Sequence, residues 1–115
     1  MDVANVFVSI GVAGHTAGCA WWSTLIGREP DRRPMPSCCE WELPDTMLFQ
    51  VLHNPKQGAV DIVSLRVGNL DREIARLRGE GLTIGDPEKV PGFDTLRIAS
   101  LADPDGNTVN LLGGE

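Results

Sequence analysis

The sequence predicts an α+β fold of two βαβββ modules, and three observations predict it. The chain repeats itself. Shifted by 55 residues, Val8-Ser9-Ile10-Gly11-Val12-Ala13-Gly14 falls on Val63-Ser64-Leu65-Arg66-Val67-Gly68-Asn69, with Ser9 on Ser64, Ile10 on Leu65 and Val12 on Val67. Both copies also run in one order: an alternating strand-like segment, a helical stretch, then Pro, Gly and Asp breaks separating further β-like stretches. Finally, Asp103-Pro104-Asp105-Gly106-Asn107 separates two apolar segments near the C-terminus. Proline presets φ for a turn and glycine supplies φ > 0, so this stretch reads as a hairpin closing the second copy.

The elements follow in order. Val8–Val12 alternates as a first strand, and His15–Ile26 reads as a helix stopped by Gly27. Ser37–Leu43 and Thr46–His53 are strand-like. His53–Val60, with Asn54, Pro55 and Gly58, is the natural linker, giving modules of about 1–54 and 59–115 within a single domain of 1–115. In the second module a strand around Val63–Val67 precedes a helix over Leu70–Arg78, stopped near Gly79 or Gly81. Leu82–Ile84, Thr95–Leu101 and Thr108–Leu112 are its remaining strands.

Composition fits a compact domain. With 42% hydrophobic and 23% charged residues in 115, usage is ordinary, and a chain of this size buries roughly two-thirds of its unfolded surface. A net charge of −6 argues against nucleic acid and anionic membrane as partners. No apolar run approaches the roughly 18 residues of a membrane span, and Met1–Asn5 lacks a signal peptide's basic start, so a cytoplasmic location is expected. Cys19, Cys38 and Cys39 lack CxxC spacing and are read as reduced and structural.

The doubled βαβββ order, with Gly27 after the first helix, Trp21-Trp22 within it and the DPDGN turn before the last strand, resembles the vicinal oxygen chelate superfamily. That group holds glyoxalase I, bleomycin-resistance proteins, fosfomycin-resistance enzymes and extradiol dioxygenases. The resemblance covers nearly the whole chain. It implies curved sheets with helices outside, forming a cup for a small molecule, and commonly a homodimer in which modules pair between chains. Family enzymes hold a divalent metal on the inner strands, and the corresponding positions here are Phe7, Gln50, Ile62 and Asn110. Phe and Ile have no donor atom, and Asn and Gln are weak neutral ligands, so the usual metal site is absent and no cofactor is expected.

Strand alternation sorts the remaining candidates. Val8, Ile10, Val12, Val63, Leu65, Val67, Val109 and Leu111 belong to core faces. Phe7, Ser9, Gln50, Ile62, Ser64, Arg66, Asn110 and Leu112 belong to the opposite faces and are the expected ligand-binding residues, with Leu48 and Leu52 beside them. The mixture of apolar walls with hydroxyl, amide and guanidinium groups is that of a small-molecule pocket. Arg66, in mid-strand, is placed to meet an oxyanion; the alternative is a structural pair with Glu40, Glu42 or Asp94. Arg97 is similar, with its facing open. Trp21 shares a helical stripe with Ala17 and Leu25 and is expected in the core, with Trp22 at an edge or a subunit contact. Trp41 is core or a wall of the cup. His15 is expected to be solvated or capping, and His53 to join the core-facing set. A relocated metal site would have to draw on His53, Asp61, Glu40 or Glu42.

No catalytic residue stands out. There is no Gly-x-Ser-x-Gly, phosphate loop or His-Glu-x-x-His, and no tyrosine at all. The sequence reads best as a metal-independent binding protein resembling the bleomycin-resistance branch. The alternative is a small glyoxalase-like isomerase or lyase using a carboxylate or an atypical metal site. A third reading is a subunit whose cup is filled by its own side chains.

Overall fold

The computed structural model describes residue 2, residues 6–44, 47–54 and 61–114. Elements run in the order β1 Val6–Val12, α1 His15–Ile26, β2 Arg32–Met35, β3 Cys38–Glu42, β4 Met47–His53, β5 Ile62–Arg66, α2 Leu70–Gly79, β6 Glu88–Lys89, β7 Arg97–Ala102 and β8 Thr108–Gly113. They fall into two compact units, Met1–Val60 and Asp61–Glu115. The first holds a sheet ordered β1-β4-β3-β2 and the second one ordered β5-β8-β7-β6. The first strand of each unit is parallel to its neighbour, and every other pairing is antiparallel. The repeat anticipated from the sequence is therefore present as one topology used twice. Of the expected linker, His53 ends β4 and Asn54 donates its backbone N–H to the Val12 carbonyl (2.8 Å), so both belong to the first unit; 55–60 lie outside the described residues.

In the first unit one sheet face is the core. Ile10, Val12, Cys39, Trp41, Phe49 and Val51 are buried there with Cys19, Trp22 and Leu25 of α1. Trp22 lies against Phe49 with ring centroids 5.0 Å apart, and Trp41 is 6.1 Å from the same ring. Trp41 donates its indole N–H to the Arg28 carbonyl (3.0 Å), so it is core rather than a wall of the open face. The expectation for the other two tryptophans is reversed: Trp22 is 0% exposed, whereas Trp21 is half-buried. The reason is Gly18. A Cβ built there would stand 2.8 Å from Val12 Cγ2, so the helix touches the strand at this residue and its buried stripe runs Gly18, Cys19, Trp22, Leu25. Gly18→Ala is expected to destabilise the chain by about 1–3 kcal/mol through overpacking, read from urea denaturation.

Helix α1 has no side-chain cap at its N-terminus and ends on Gly27, whose φ of 93° lets its N–H reach the Ser23 carbonyl (2.9 Å). It depends on its packed face. Helix α2 is locally better specified. The Asn69 side chain caps the Arg72 N–H (3.1 Å), Asp71 and Glu73 sit in the first turn and Arg76 and Arg78 in the last, matching the helix dipole. Leu70, Ile74 and Leu77 cover a core of Val63, Ala99, Leu101, Val109 and Leu111.

One strand is additional to those expected, and two strand expectations are corrected. Arg32–Met35 is a strand although it contains Pro34, which an edge strand tolerates. Leu82–Ile84 is not a strand: Ile84 is buried, but the next ladder contact is a single bond from Gly85 N–H to the Ser100 carbonyl. The fourth place in that sheet goes to Glu88–Lys89, and β7 begins at Arg97 rather than Thr95.

The DPDGN turn is bonded to itself. The Asp103 carboxylate accepts from the backbone N–H of Asp105 (2.9 Å) and Asn107 (2.8 Å) and from Asn107 Nδ2 (2.8 Å). Asn107, 0% exposed, accepts the Asp61 N–H on its Oδ1 (2.9 Å) and so ties the turn to the start of β5. Gly106 takes the left-handed φ of 86° that the turn requires.

Cysteine chemistry is also corrected. Cys19 and Cys39 form a disulfide joining α1 to β3, and only Cys38 is a buried thiol. Both partners face the helix–sheet interface, which strand alternation and helix periodicity show separately but not as a pair.

Candidate functional site

Each sheet leaves the face away from its helix open, and each open face carries a polar row in the same register. In the first unit Ser9, Gln50 and Glu40 stand opposite one another on β1, β4 and β3. The Ser9 hydroxyl donates to Gln50 Oε1 (3.0 Å), and Gln50 Nε2 donates to Glu40 Oε1 (2.8 Å). Arg32, opposite Glu40 on β2, donates to both Glu40 and Glu42. In the second unit Ser64, Asn110 and Ser100 occupy the equivalent places on β5, β8 and β7. Ser100 donates to Asn110 Oδ1 (2.7 Å), and Asn110 Nδ2 donates to Ser64 Oγ (3.3 Å).

Apolar side chains flank both rows. Phe7 beside Ser9 is 55% exposed, and Ile62 beside Ser64 is 68% exposed, far more than residues of their type usually show. Arg66, two residues beyond Ser64, is exposed and donates from Nη2 to the Gly114 carbonyl (2.7 Å). Leu112 stands opposite it on β8, half-buried. The alternative of a structural pair between Arg66 and Glu40, Glu42 or Asp94 is not the contact found. Arg97 faces the helix side and pairs with Asp71 (2.9 Å). All eight residues expected from the sequence lie on the faces away from the helices: Phe7, Ser9 and Gln50 in the first unit, and Ile62, Ser64, Arg66, Asn110 and Leu112 in the second. Glu40, Ser100 and Arg32 complete the rows; alternation from Gln50 and Asn110 reaches the first two only once the strand pairing is known.

Glu40 is buried, and the Arg32 guanidinium, helped by the Gln50 amide, holds its carboxyl below the usual carboxylate range. A depressed carboxylate contributes stability above the ordinary glutamate value of about 4.3 and loses it as pH falls through the lowered folded value. The stability difference between wild type and Glu40→Gln is therefore expected to shrink on acidification below about pH 4, followed by thermal melts at stepped pH.

The model of the glyoxalase-like domain matches residues 6–112. The chain belongs to the glyoxalase-like domain family. No curated protein matches its sequence. Among solved structures, a glyoxalase/bleomycin resistance protein from Catenulispora acidiphila superposes with a TM-score of 0.85 at 23% identity, covering 98% of this chain and 100% of that one. TnmS3, an antibiotic binding protein from a Streptomyces species, gives 0.81 at 20% identity over 100% and 99% of the two chains. A bleomycin-binding protein complexed with bleomycin gives 0.78 at 18% identity over 100% of both. The fold is that of the vicinal oxygen chelate superfamily, shared with these solved structures.

The side chains at Phe7, Gln50, Ile62 and Asn110, the positions that the resemblance implies for a metal, do not fit one there. Phe7 and Ile62 offer no donor, and the amides of Gln50 and Asn110 are engaged with Ser9 and Glu40, and with Ser100 and Ser64.

One further cluster in the glyoxalase-like domain is on the helix side of the first sheet. His15, expected at the surface or as a cap, instead has its Nε2 3.4 Å from the Cys19 sulfur and 3.7 Å from that of Cys39. Burial, then the nearby His53 and Arg33, lowers its pKa. Arg33 donates to the Cys39 sulfur (2.7 Å). A cleft of about 360 Å³ opens beside them, lined by His15, Thr16, Cys19, Ser23, Glu29 and Arg33 among others. The i, i+4 spacing of His15 and Cys19 was the available signal; Cys39 joins them only through the fold. Among the described residues no helix is long and apolar enough to cross a membrane.

Proposed function

We propose that this glyoxalase-like domain binds and sequesters a small organic molecule without a metal, through the open sheet faces. The observation that carries the reading is the pair of polar rows, Ser9–Gln50–Glu40 and Ser64–Asn110–Ser100, set in one register beside the exposed Phe7 and Ile62. The rows offer hydroxyl and amide groups for orientation, and the flanking residues offer apolar surface. Arg66 adds a guanidinium with donors beyond the one given to Gly114, suited to an oxyanion. The ligand class is a molecule with an aromatic or apolar body and a hydrogen-bonding or anionic group. The antibiotic-binding and bleomycin-binding proteins of the same fold support the reading. A carboxylate-based isomerase or lyase is disfavoured, because the buried carboxylate of the row, Glu40, is held ionised rather than poised as an acid. We propose further that the protein works in the cytoplasm as a homodimer, the assembly that the family resemblance implies; light scattering tests the assembly.

Native mass spectrometry of the purified protein is expected to find a co-purifying small molecule. A defined probe is 8-anilinonaphthalene-1-sulfonate, an aromatic anion. Arg66→Ala is expected to weaken saturable binding of this probe by about 1.5–3 kcal/mol, the worth of a hydrogen bond to a charged group, with an unchanged melting temperature. An unchanged affinity with a lowered melting temperature would make Arg66 a structural residue and remove it from the site.

A further inference from the structure

We infer that His15, Cys19 and Cys39 form a redox-gated zinc site: closed as a disulfide in the oxidised chain, and binding one Zn²⁺ in the reduced chain. The site is separate from the polar rows, since Cys19 and Cys39 lie on the buried, helix-covered side of the first sheet. The three ligand atoms lie within 4.8 Å of one another. With Zn–S of about 2.3 Å and Zn–N of about 2.0 Å, a tetrahedral site places nitrogen about 3.5 Å from each sulfur. The His15 nitrogen already stands 3.4 Å and 3.7 Å from the two sulfurs. Only the sulfurs have to part, and cleaving the bond between them does that. His15 and Cys19, one helical turn apart on α1, present their ligand atoms side by side, and β3 supplies the third ligand from across the interface.

The chemistry balances with a dithiol reductant. Its thiolate attacks one sulfur of the disulfide, a mixed disulfide forms, and its second thiol displaces the other sulfur; the reductant leaves as its own disulfide with two electrons fewer. Cys19 and Cys39 are then thiols. Zn²⁺ displaces one proton from each, so two thiolates and a neutral imidazole give a site with no net charge. Arg33, donating to the Cys39 sulfur, helps hold the thiolate form. The adjacent cleft admits a water as fourth ligand, which gives the open geometry of a three-ligand zinc site. In a reducing compartment, where disulfides are uncommon, the zinc-binding form would be the standing one.

The test uses the full chain reduced with a phosphine, freed of reductant without oxygen, and titrated with Co²⁺ as a coloured stand-in for zinc. A thiolate-to-cobalt charge-transfer band saturating at one ion per chain, abolished by Zn²⁺ and missing from the oxidised chain, is expected. His15→Gln should weaken binding by at least about tenfold, the lower end of what losing even an outer partner of a ligand costs. Zn²⁺ should also protect Cys19 and Cys39 from alkylation, mapped by peptide mass spectrometry, and raise the melting temperature of the reduced chain. A reduced chain that keeps its circular dichroism but shows no band would overturn the inference, as would His15→Gln titrating like wild type. Reduction that unfolds the chain irrespective of Zn²⁺ would overturn it equally.

Discussion

Trp22→Ala is expected to lower stability by about 3–5 kcal/mol, while Trp21→Ala, its neighbour, costs about 1 kcal/mol. Trp22 has no exposed surface and fills the space between α1 and Phe49, with Trp41 beyond the same ring. Its loss removes a large transfer term and leaves a cavity that a helix pinned at Gly18 and bonded to β3 through Cys19 has little freedom to collapse. Trp21 is half-buried and meets Trp22 edge-on at 5.3 Å, so its truncation removes one aromatic contact and leaves no sealed void. Urea denaturation of the two variants under oxidising conditions measures the difference. Equal losses, or a larger loss for Trp21, would mean that α1 is rotated from the position described.

Asn107→Ala is expected to cost about 3 kcal/mol, because a buried group deprived of its partner costs about 1–3 kcal/mol and a charged one more. The Asn107 side chain joins two segments at one end of the second sheet: it donates to the buried Asp103 carboxylate and accepts from the Asp61 N–H. The backbone adds a bond from the Thr108 N–H to the Asp61 carbonyl (2.9 Å). The loss should appear locally, as faster amide exchange at Asp61 and Thr108 and along β5 and β8, with the first sheet little changed. Asn107→Asp should not restore it, since a second carboxylate would stand against Asp103. Wild-type exchange rates at Asp61 in either variant would show that the turn does not anchor the strand.

The parts legible in the sequence were those governed by local rules. Helix α1 was readable to its last residue because Gly27 is a local stop, and the DPDGN turn because proline and glycine act over four or five positions. Alternation placed Phe7, Ser9, Gln50, Ile62, Ser64, Arg66, Asn110 and Leu112 on the faces away from the core, since the period of a strand needs no knowledge of its neighbours. The misses required a partner. The helix stripe was read through Trp21 because spacing alone cannot tell which phase of a mostly apolar helix meets the sheet; the contact of Gly18 with Val12 decides it. The Cys19–Cys39 bond, the placing of His15 against it, and the joining of Glu40 and Ser100 to the rows each depend on which strand lies beside which. Arg32–Met35 carries no comparable local signal: it contains Pro34, which a strand tolerates at an edge, and the edge is a property of the assembled sheet.

The two polar rows are equivalent in place but not in how tightly each is tied to its surroundings. Position for position, the rows agree at serine, differ by one methylene at Gln50 and Asn110, and differ in charge at Glu40 and Ser100. The three slots of each row sit on the sheet face opposite the apolar core of their own unit. A substitution at Ser100 or Asn110 alters what the face presents while the helix-side packing keeps its shape. Glu40 is the exception, being tethered to Arg32. A change at Ser100 or Asn110 thus disturbs the hydrogen bonds of one row alone, whereas a change at Glu40 also releases the Arg32 guanidinium.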